Sequence, residues 1–317
     1  MPSKLEITDG MLYHKVYLLD KRGAKLQNVK GTLFVMLSAS IFGCMPLFSA
    51  LIQAEGIGPS SLLLLRAMLA LPFLFFMMKV KKVDFKLKKG ELLKIAAVST
   101  VGSAITPYML IICYDYISTG MATTLHFIYP AAVIMGCAVV YRAKIDRMQW
   151  ISAAMCCVGA WMFCSFDGEI DPIGVTLAIS SGFVYASYII ALEKSGVDKI
   201  HPFKYCFYGS CSCTVFMFIV SIAGGSLQLS KSSKGWLLCA LSSVAIMVIA
   251  VMLFQIGVGI IGSQKSGILS TFEPITSSVI GILVFNEPFG VKSAVGTVLI
   301  LLSVVLLESS GKSKQAA

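Results

Sequence analysis

The chain has 317 residues, of which 57% are hydrophobic and only 13% are charged, and its formal net charge at pH 7 is +10. Soluble domains are about half apolar and about a quarter charged, so this composition excludes an ordinary soluble globular protein. The basic residues lie mostly in one set of alternate segments between apolar blocks. The positive charge therefore indicates membrane orientation and not nucleic-acid binding.

The apolar residues come in blocks of about 18 to 23, the length at which an α-helix crosses ~30 Å of hydrocarbon. The mean hydropathy of +0.84 agrees with this pattern. We therefore predict an all-α membrane protein that crosses the plasma or inner membrane of a cell several times. In chain order the blocks predict ten transmembrane helices, at roughly residues 32–53, 60–78, 93–113, 119–141, 148–166, 173–192, 204–222, 236–258, 263–285 and 291–307.

The N-terminal segment 1–30 is polar and carries no signal-peptide pattern, so we expect the first helix to remain as an uncleaved anchor. If this segment is cytoplasmic, nearly all of the 26 Lys and Arg residues fall in cytoplasmic segments. The exceptions are Arg66 within a helix and Lys231, Lys234 and Lys292 in the opposite loops. By the positive-inside rule both termini, including the tail 309–317, are predicted to be cytoplasmic and to face anionic lipid.

Landmark residues recur along the chain at a nearly constant spacing of 143 or 144 positions. The pairs are Gly31 and Gly174, Pro59 and Pro202, and Pro130 and Pro274. This spacing divides the chain into two units, 31–166 and 173–308, each with five predicted helices. Because five crossings bring the chain out on the opposite side, the second unit is predicted to be inverted relative to the first. Inverted repeats are typical of secondary transporters, whose substrate site lies near the midplane between the two units.

Four stretches of the chain match patterns of a known family. They are PSSLLLLRA at 59–67, YDYISTGMATTL at 114–125, FEP at 272–274 and NEP at 286–288. Through them the chain resembles the EamA-type branch of the drug/metabolite transporter (DMT) superfamily over about residues 30–308. The resemblance implies two EamA-like repeats and transport of a small molecule, since members export or exchange amino acids, other metabolites, nucleotide sugars or drugs. Where the first unit of the family has a glutamate like Glu287, this chain has Arg142-Ala143-Lys144, so no role is carried over to that position.

Glu273 lies about ten residues into the ninth predicted helix, close to the middle of the bilayer. An ionisable side chain at that depth costs roughly 2.5–3.5 kcal/mol and usually faces a cavity. Ser266, Ser270 and Ser277 recur on the same predicted helix face, so we expect a polar stripe along a substrate pathway. Burial favours the neutral carboxyl group, which would suit substrate handling or proton coupling. The alternative is a structural glutamate that hydrogen-bonds backbone groups or a neighbouring hydroxyl.

The fourth predicted helix carries the equivalent polar positions. The repeat spacing places His126 opposite Ser270 and Tyr129 opposite Glu273. Two matching polar faces would line a shared central pathway. His126 is the single histidine in a predicted helix, and we interpret it either as a hydrogen-bond partner of the substrate or as a packing residue.

Prolines occupy equivalent positions in the fourth and ninth predicted helices. Pro130 and Pro274 each remove one backbone hydrogen bond and bend the helix. Each directly follows a polar candidate, Tyr129 or Glu273. We therefore predict that both prolines act as hinges that let a helix rock around the substrate.

Two basic and three aromatic side chains are further candidates for contact with the substrate. Arg66 could pair with a substrate carboxylate or with the carboxylate of the ninth helix, and the alternative is that it snorkels to the outer interface. Lys265 could steer an anionic ligand or lie at the cytoplasmic interface. Phe42, Tyr108 and Tyr185 could stack on planar or cationic groups, while each could equally be a core residue.

The sequence lacks the patterns of enzymes and cofactor proteins. It has no Walker loop, no HExxH zinc motif, no second intramembrane histidine for haem and no metal-ligand spacing of its cysteines. We therefore expect no enzymatic activity, cofactor or metal.

Together the patterns predict a secondary active transporter that moves a small polar or amphipathic metabolite, such as an amino acid, a related compound or a drug. It would work by alternating access, in export or exchange, with protons or a counter-substrate as coupling partner and as a monomer or homodimer. The alternative is a channel or lipid scramblase built on the same inverted repeat.

Overall fold

The computed structural model describes residues 26–113, 115–117, 119–162, 171–229, 232–285 and 290–313. Within these ranges the chain forms α-helices joined by turns and short connections, with two π-helical segments, one 3₁₀ turn and no β-strand. The predicted all-α class is confirmed. Most of the N-terminal segment 1–30, Tyr114 and the NEP motif at 286–288 lie outside the described residues.

We name the α-helices α1 to α14 in chain order. They are α1 (26–43), α2 (Met45–Ala54), α3 (Pro59–Val80), α4 (Glu91–Thr100), α5 (Thr106–Cys113), α6 (Thr119–His126), α7 (Tyr129–Tyr141), α8 (Arg147–Trp161), α9 (Pro172–Lys194), α10 (Pro202–Ala223), α11 (Ser233–Ser242), α12 (Val251–Leu269), α13 (Phe272–Phe285) and α14 (Val291–Ser313). The π-helical segments Val101–Ile105 and Ser243–Ala250 join α4 to α5 and α11 to α12, and the 3₁₀ turn is Val197–Lys199.

Several helical runs are long and apolar enough to cross a membrane. Those in the described part are Leu26–Ala54, Pro59–Val80, Glu91–Cys113, Pro172–Lys194, Pro202–Ala223 and Ser233–Leu269, with shorter apolar helices at Tyr129–Tyr141 and Ala294–Ser303. The chain is therefore a multi-pass membrane protein, as predicted. The number of ten crossings and the cytoplasmic position of both termini stay predictions.

The bounds of the helices repeat along the chain. α3 and α10 are both 22 residues long, begin 143 positions apart, and each has a proline as its first residue. Proline is favoured there because the first N–H of a helix has no helical partner. α4 and α11 are both 10 residues long, and each passes directly into a π-helical segment. α3 packs along α10 and α8 packs along α14, and these are the most extensive helix pairs described.

Two close glycine contacts also correspond. A Cβ atom on Gly31 of α1 would lie 2.7 Å from Cγ2 of Ile261, and one on Gly174 of α9 would lie 2.8 Å from Cγ2 of Ile117. Gly174 follows Gly31 by 143 positions, and Ile261 follows Ile117 by 144. The absence of a side chain thus lets each of these helices approach the other half of the chain closely, at equivalent places.

The fourth and ninth predicted helices are each interrupted by a turn. Residues 127–128 separate α6 from α7, and residues 270–271 separate α12 from α13. Each turn lies just before a proline, Pro130 or Pro274, which has no N–H to continue a preceding helix. The amides of Phe127 and Ser270 bond to the carbonyls four residues earlier, over 3.1 and 2.9 Å, so the two turns share their local geometry.

The end of the eighth predicted helix and the start of the ninth together form α12. This helix contains one non-helical residue, Gly262. Its backbone angles are φ 81° and ψ 164°, a region adopted essentially by glycine alone. Gly262 lies in the predicted gap between 258 and 263. Segment 263–269 is therefore a short helix of its own between Gly262 and the turn at 270–271.

Candidate functional site

Two adjoining cavities lie between the helices, at the level of the turns that interrupt the fourth and ninth predicted helices. The smaller, which we call the inner pocket, has a volume of about 70 Å³, and the larger, the vestibule, has about 580 Å³. Both are lined by Met45, Pro107, Leu110, His126 and Glu273, so they are two parts of one space.

The vestibule extends from this shared wall toward one end of the bundle. Ser49, Ala50 and Gln53 of α2 line it, and Ala50 and Gln53 are exposed. They lie close to the connection 55–58, at the end whose loops carry few basic residues. By the positive-inside rule this end is predicted to face outward.

The inner pocket is lined by both π-helical segments. Gly102 and Ser103 come from the first segment, and Ile246 and Met247 come from the second. The members of each pair are 144 positions apart, so equivalent parts of the two halves contribute to one pocket. π-helical turns occur often at functional sites. None of these four residues is a candidate from its residue type alone, although the repeat spacing pairs them across the third and eighth predicted helices.

Glu273 lies in the first turn of α13 and lines both cavities. Its carboxyl group has no hydrogen-bond or ion-pair partner in the described part of the chain. α13 packs closely on α1: a Cβ atom on Gly43 would lie 2.6 Å from the Glu273 carbonyl oxygen, and the Ser277 hydroxyl donates to the Gly43 carbonyl over 2.9 Å. Tight backbone packing therefore holds the free carboxyl group in the cavity wall.

His126 is the last residue of α6 and also lines both cavities. Its Nδ1 lies 2.9 Å from the hydroxyl of Ser181 on α9, and that hydroxyl donates to the Ala178 carbonyl over 2.6 Å. Because the hydroxyl has a single hydrogen, it accepts from Nδ1–H, and Nε2 of the neutral ring is left as an acceptor. The imidazole is thus oriented by α9 and offers one acceptor to a ligand.

Aromatic rings form a cluster beside the inner pocket. Tyr185 contacts His126, Tyr129 and Tyr188 with ring centroids 5.4, 4.9 and 5.5 Å apart. Tyr185, Tyr188 and Phe42 line the pocket, whereas Tyr129 is fully buried behind it. Phe42 and Tyr185 are 143 positions apart, so each half supplies one ring at an equivalent place.

Arg66 of α3 lines the inner pocket with only 3% of its surface exposed. Its Nη1 lies 3.4 Å from Met45 Sδ, a weak acceptor, and its Nε is buried without a hydrogen-bond partner among the described residues. The Arg66 carbonyl accepts from the Ser243 hydroxyl over 2.6 Å, at the start of the second π-helical segment. This burial disagrees with the alternative that Arg66 snorkels to the membrane interface.

Three further predicted residues do not line the two cavities. Tyr108 is half-buried and packs on the hydrophobic core, and Lys265 is half-buried in segment 263–269. Ser270 is 3% exposed, and its hydroxyl donates to the Ser266 carbonyl over 2.8 Å. The turn at 270–271 changes the helical phase and divides the predicted polar stripe into two parts. Only the part of the stripe that follows the turn, Glu273 and Ser277, lines the vestibule.

The chemistry of the cavities is that of a binding site. They present a guanidinium, a carboxyl group, an imidazole acceptor and aromatic faces within one space. Within the described ranges no three His, Cys, Asp or Glu side chains converge to hold a metal ion.

Comparison with known proteins identifies the family. The model of the EamA-like transporter family matches the chain twice, over residues 29–165 and 172–309. The chain belongs to this family. The resemblance seen in the sequence is confirmed, and the protein is a membrane transporter.

Similar proteins carry transporter names. This EamA-like chain is 25% identical to the uncharacterized transporter YcbK of Bacillus subtilis over 283 residues, 84% of this chain and 88% of YcbK. It is 22% identical to the uncharacterized inner membrane transporter YicL of Salmonella typhimurium over 316 residues, 91% of this chain and 98% of YicL. An uncharacterized transporter of Synechocystis is 25% identical over 207 residues, and the match spans 61% of that protein.

A solved crystal structure has the same fold as this EamA-like chain. The TM-score is 0.73 at 12% sequence identity, and the match covers 87% of this chain and 96% of the other.

Proposed function

We propose that this EamA-like protein is a secondary active transporter that moves a small polar or amphipathic metabolite by alternating access, in export or exchange. The observation that carries the proposal is the shared pocket. Gly102 and Ser103 from the first half and Ile246 and Met247 from the second line one space. A site built from equivalent parts of two inverted units can open to either side when the units exchange their packing.

Several independent features support the division into the units 31–166 and 173–308. The family model matches nearly the same two ranges, the bounds of the helices recur at the repeat spacing, and the close contacts of Gly31 and Gly174 correspond. With five predicted helices in each unit, the second unit is inverted. That arrangement supplies the symmetry that alternating access requires.

The two ends of the bundle differ in their packing. The end opposite the vestibule, whose loops carry most of the basic residues, is called the lysine-rich end. There Gln255 donates to the carbonyls of Val197 and Ile200 over 2.8 and 2.9 Å, and Gln149 donates to Gln264 over 2.7 Å. At the other end the vestibule reaches exposed residues of α2. This difference supports a state that is open toward the predicted outer side and closed toward the cytoplasm.

The alternative is a channel or a lipid scramblase. A channel needs a continuous path through the protein, and the hydrogen bonds at the lysine-rich end argue against one in this state. A scramblase needs polar groups that face lipid, whereas Arg66 and His126 are only 3% and 6% exposed. Both observations favour a carrier.

Counterflow in proteoliposomes tests the proposal. A thermal-shift screen of the purified full chain against amino acids, nucleosides, organic cations and sugar nucleotides first finds ligands, because binding to the folded state raises its apparent stability. The labelled ligands are then offered to vesicles that contain the same unlabelled compound. We expect saturable uptake that is accelerated by the internal compound. Ion conductance without saturation would support a channel, and transfer of labelled lipid between leaflets would support a scramblase.

A further inference from the structure

Arg66 is a buried cation that has no anionic partner among the residues that the structure describes. Its guanidinium stays charged at any physiological pH, and a buried charge is costly unless it is paired. The ion pairs formed within the described part of the chain join Glu193 to Lys194 and Glu55 to Lys234. The Nε of Arg66 has no hydrogen-bond partner there, and the side chain lines the inner pocket. The pocket wall therefore carries an unsatisfied positive charge.

Glu273 lines the same pocket and does not form an ion pair with Arg66. Its carboxyl group has no other partner in the part of the chain that the structure describes. A guanidinium and a carboxyl group thus face one space without touching each other. A positive charge beside a buried carboxyl group favours its ionised form. The simplest ligand that satisfies both residues therefore carries an anionic group for the guanidinium and an ammonium group for the carboxylate on one small molecule.

We infer that the inner pocket binds a small zwitterion, whose anionic group contacts Arg66 and whose ammonium group contacts Glu273. This inference rests on the transport function proposed above and specifies its substrate class. The Nε2 acceptor of His126 provides a second place for an ammonium hydrogen.

The size and walls of the two cavities define the rest of the ligand. The inner pocket, at about 70 Å³, has room for a charged head group, and the body of the ligand extends into the vestibule of about 580 Å³. Leu62, Leu63 and Leu110 line the vestibule, and Phe42 and Tyr185 line the pocket. An apolar body is therefore favoured, and an α-amino acid with an apolar side chain is the plainest compound of this kind.

Binding of matched analogues to the purified full chain tests the inference. The probes are L-leucine and L-phenylalanine, their carboxamides, which lack the anion, and their analogues without the amino group, which lack the cation. We expect at least one amino acid to bind at least about tenfold more tightly than either of its single-charge analogues, the size of one lost charge-assisted hydrogen bond. The inference is overturned if no amino acid binds or if a single-charge analogue binds equally well.

Two variants assign each charge of the ligand to its residue. Arg66→Gln is expected to remove the preference for the amino acid over its carboxamide and to leave the preference over the analogue without the amino group. Glu273→Gln is expected to do the reverse. A residue that only stabilised the fold would weaken all three ligands equally. Arg147→Gln and Glu91→Gln, changes of the same type outside both cavities, are matched controls that are expected to retain both preferences.

Counterflow separates this inference from the proposed function. If the chain exchanges an organic cation with saturation while no amino acid binds or competes, the zwitterion inference fails and the transporter proposal stands. If the amino acids bind through both charges and no exchange occurs across the vesicle membrane, the transport function fails and the binding site stands.

Discussion

The carboxylate of Glu193 accepts a hydrogen bond of 2.6 Å from the backbone N–H of Ser263, the residue that follows the break at Gly262. Ser263 begins the short helix 263–269, and its amide is one of those that a helix start leaves without an intrahelical partner. A negative charge is favoured at this position by the helix dipole. The end of α9 is thereby tied to the segment that leads to Glu273.

We expect Glu193→Ala to loosen the lysine-rich end of the bundle. Loss of a hydrogen bond to a charged group costs about 1.5–3 kcal/mol, enough to shift a closed-to-open equilibrium by about tenfold or more. Cys137 reports this opening because it is 1% exposed and its Sγ lies 3.5 Å from the Ser263 hydroxyl. The measurement is the rate at which N-ethylmaleimide modifies Cys137, resolved by peptide mass spectrometry, with buried Cys206 as the internal reference.

The conservative variant at the same position is the control. Glu193→Gln keeps an acceptor for the Ser263 amide, so it is expected to speed the modification of Cys137 less than Glu193→Ala does. Equal rates in all three proteins would show that this contact does not hold the end closed.

Replacement of Gly262 by any other residue is expected to lower the stability of the protein. Its φ of 81° and ψ of 164° lie in a region reserved for glycine, and a side chain there costs about 1–3 kcal/mol. Gly196 has φ 77° and ψ 12°, the left-handed helical region that asparagine also adopts. No atom of the described residues lies within 4 Å of a Cβ atom added to Gly196. Gly262→Asn should therefore lower the thermal unfolding temperature, and Gly196→Asn should change it little. A similar effect of both variants would contradict the special geometry at Gly262.

The sequence predicts most of the fold because its strongest signals are local. Apolar blocks determine where helices form, and prolines determine where they start or stop, so the turns before Pro130 and Pro274 fall beside the predicted hinges. The repeat spacing then pairs positions that local signals leave separate. Glu273 and His126 were predicted to share a pathway on that basis, and the structure brings them into the same cavity wall.

The features that the sequence did not predict depend on how helices face each other. α3 is apolar on all sides, so its pattern gives no preferred face and could not distinguish a buried Arg66 from an interfacial one. The polar stripe through Ser270 assumed one continuous helix, and the turn at 270–271 resets its phase. Lys265 and Tyr108 lie in segments that are helical as predicted, yet neither residue lines the two cavities.

Gly43→Ala is expected to displace α13 from α1. The new methyl group would lie 2.6 Å from the Glu273 carbonyl oxygen and from Thr276 Cβ, and overpacking of this kind costs about 1–3 kcal/mol. Thermal unfolding of the purified protein measures the loss of stability. Gly290→Ala is the matched control because no atom of the described residues lies within 4 Å of the added methyl group. If Gly43→Ala is as stable as the control, α13 has room to move and its packing does not fix the carboxyl group.

Glu273→Gln is expected to preserve the fold and to impair transport. Glutamine has nearly the same shape as glutamate, and the carboxyl group has no partner among the described residues to lose. Because the amide carries no charge, it cannot attract an ammonium group or exchange a proton. We expect counterflow of the best ligand to fall at least about tenfold, the loss of one charge-assisted hydrogen bond, with an unchanged unfolding temperature.

The pH dependence of counterflow distinguishes this role from a structural one. In the wild type a proton and the ammonium group of the ligand compete for one carboxylate, so activity should fall as the pH is lowered. The variant Glu273→Gln has no such competition, and its residual activity should stay flat over the same range, while Glu91→Gln should keep the wild-type profile. A wild-type profile in Glu273→Gln would mean that another group binds the proton, and the carboxyl group in the cavity wall would then have no part in coupling.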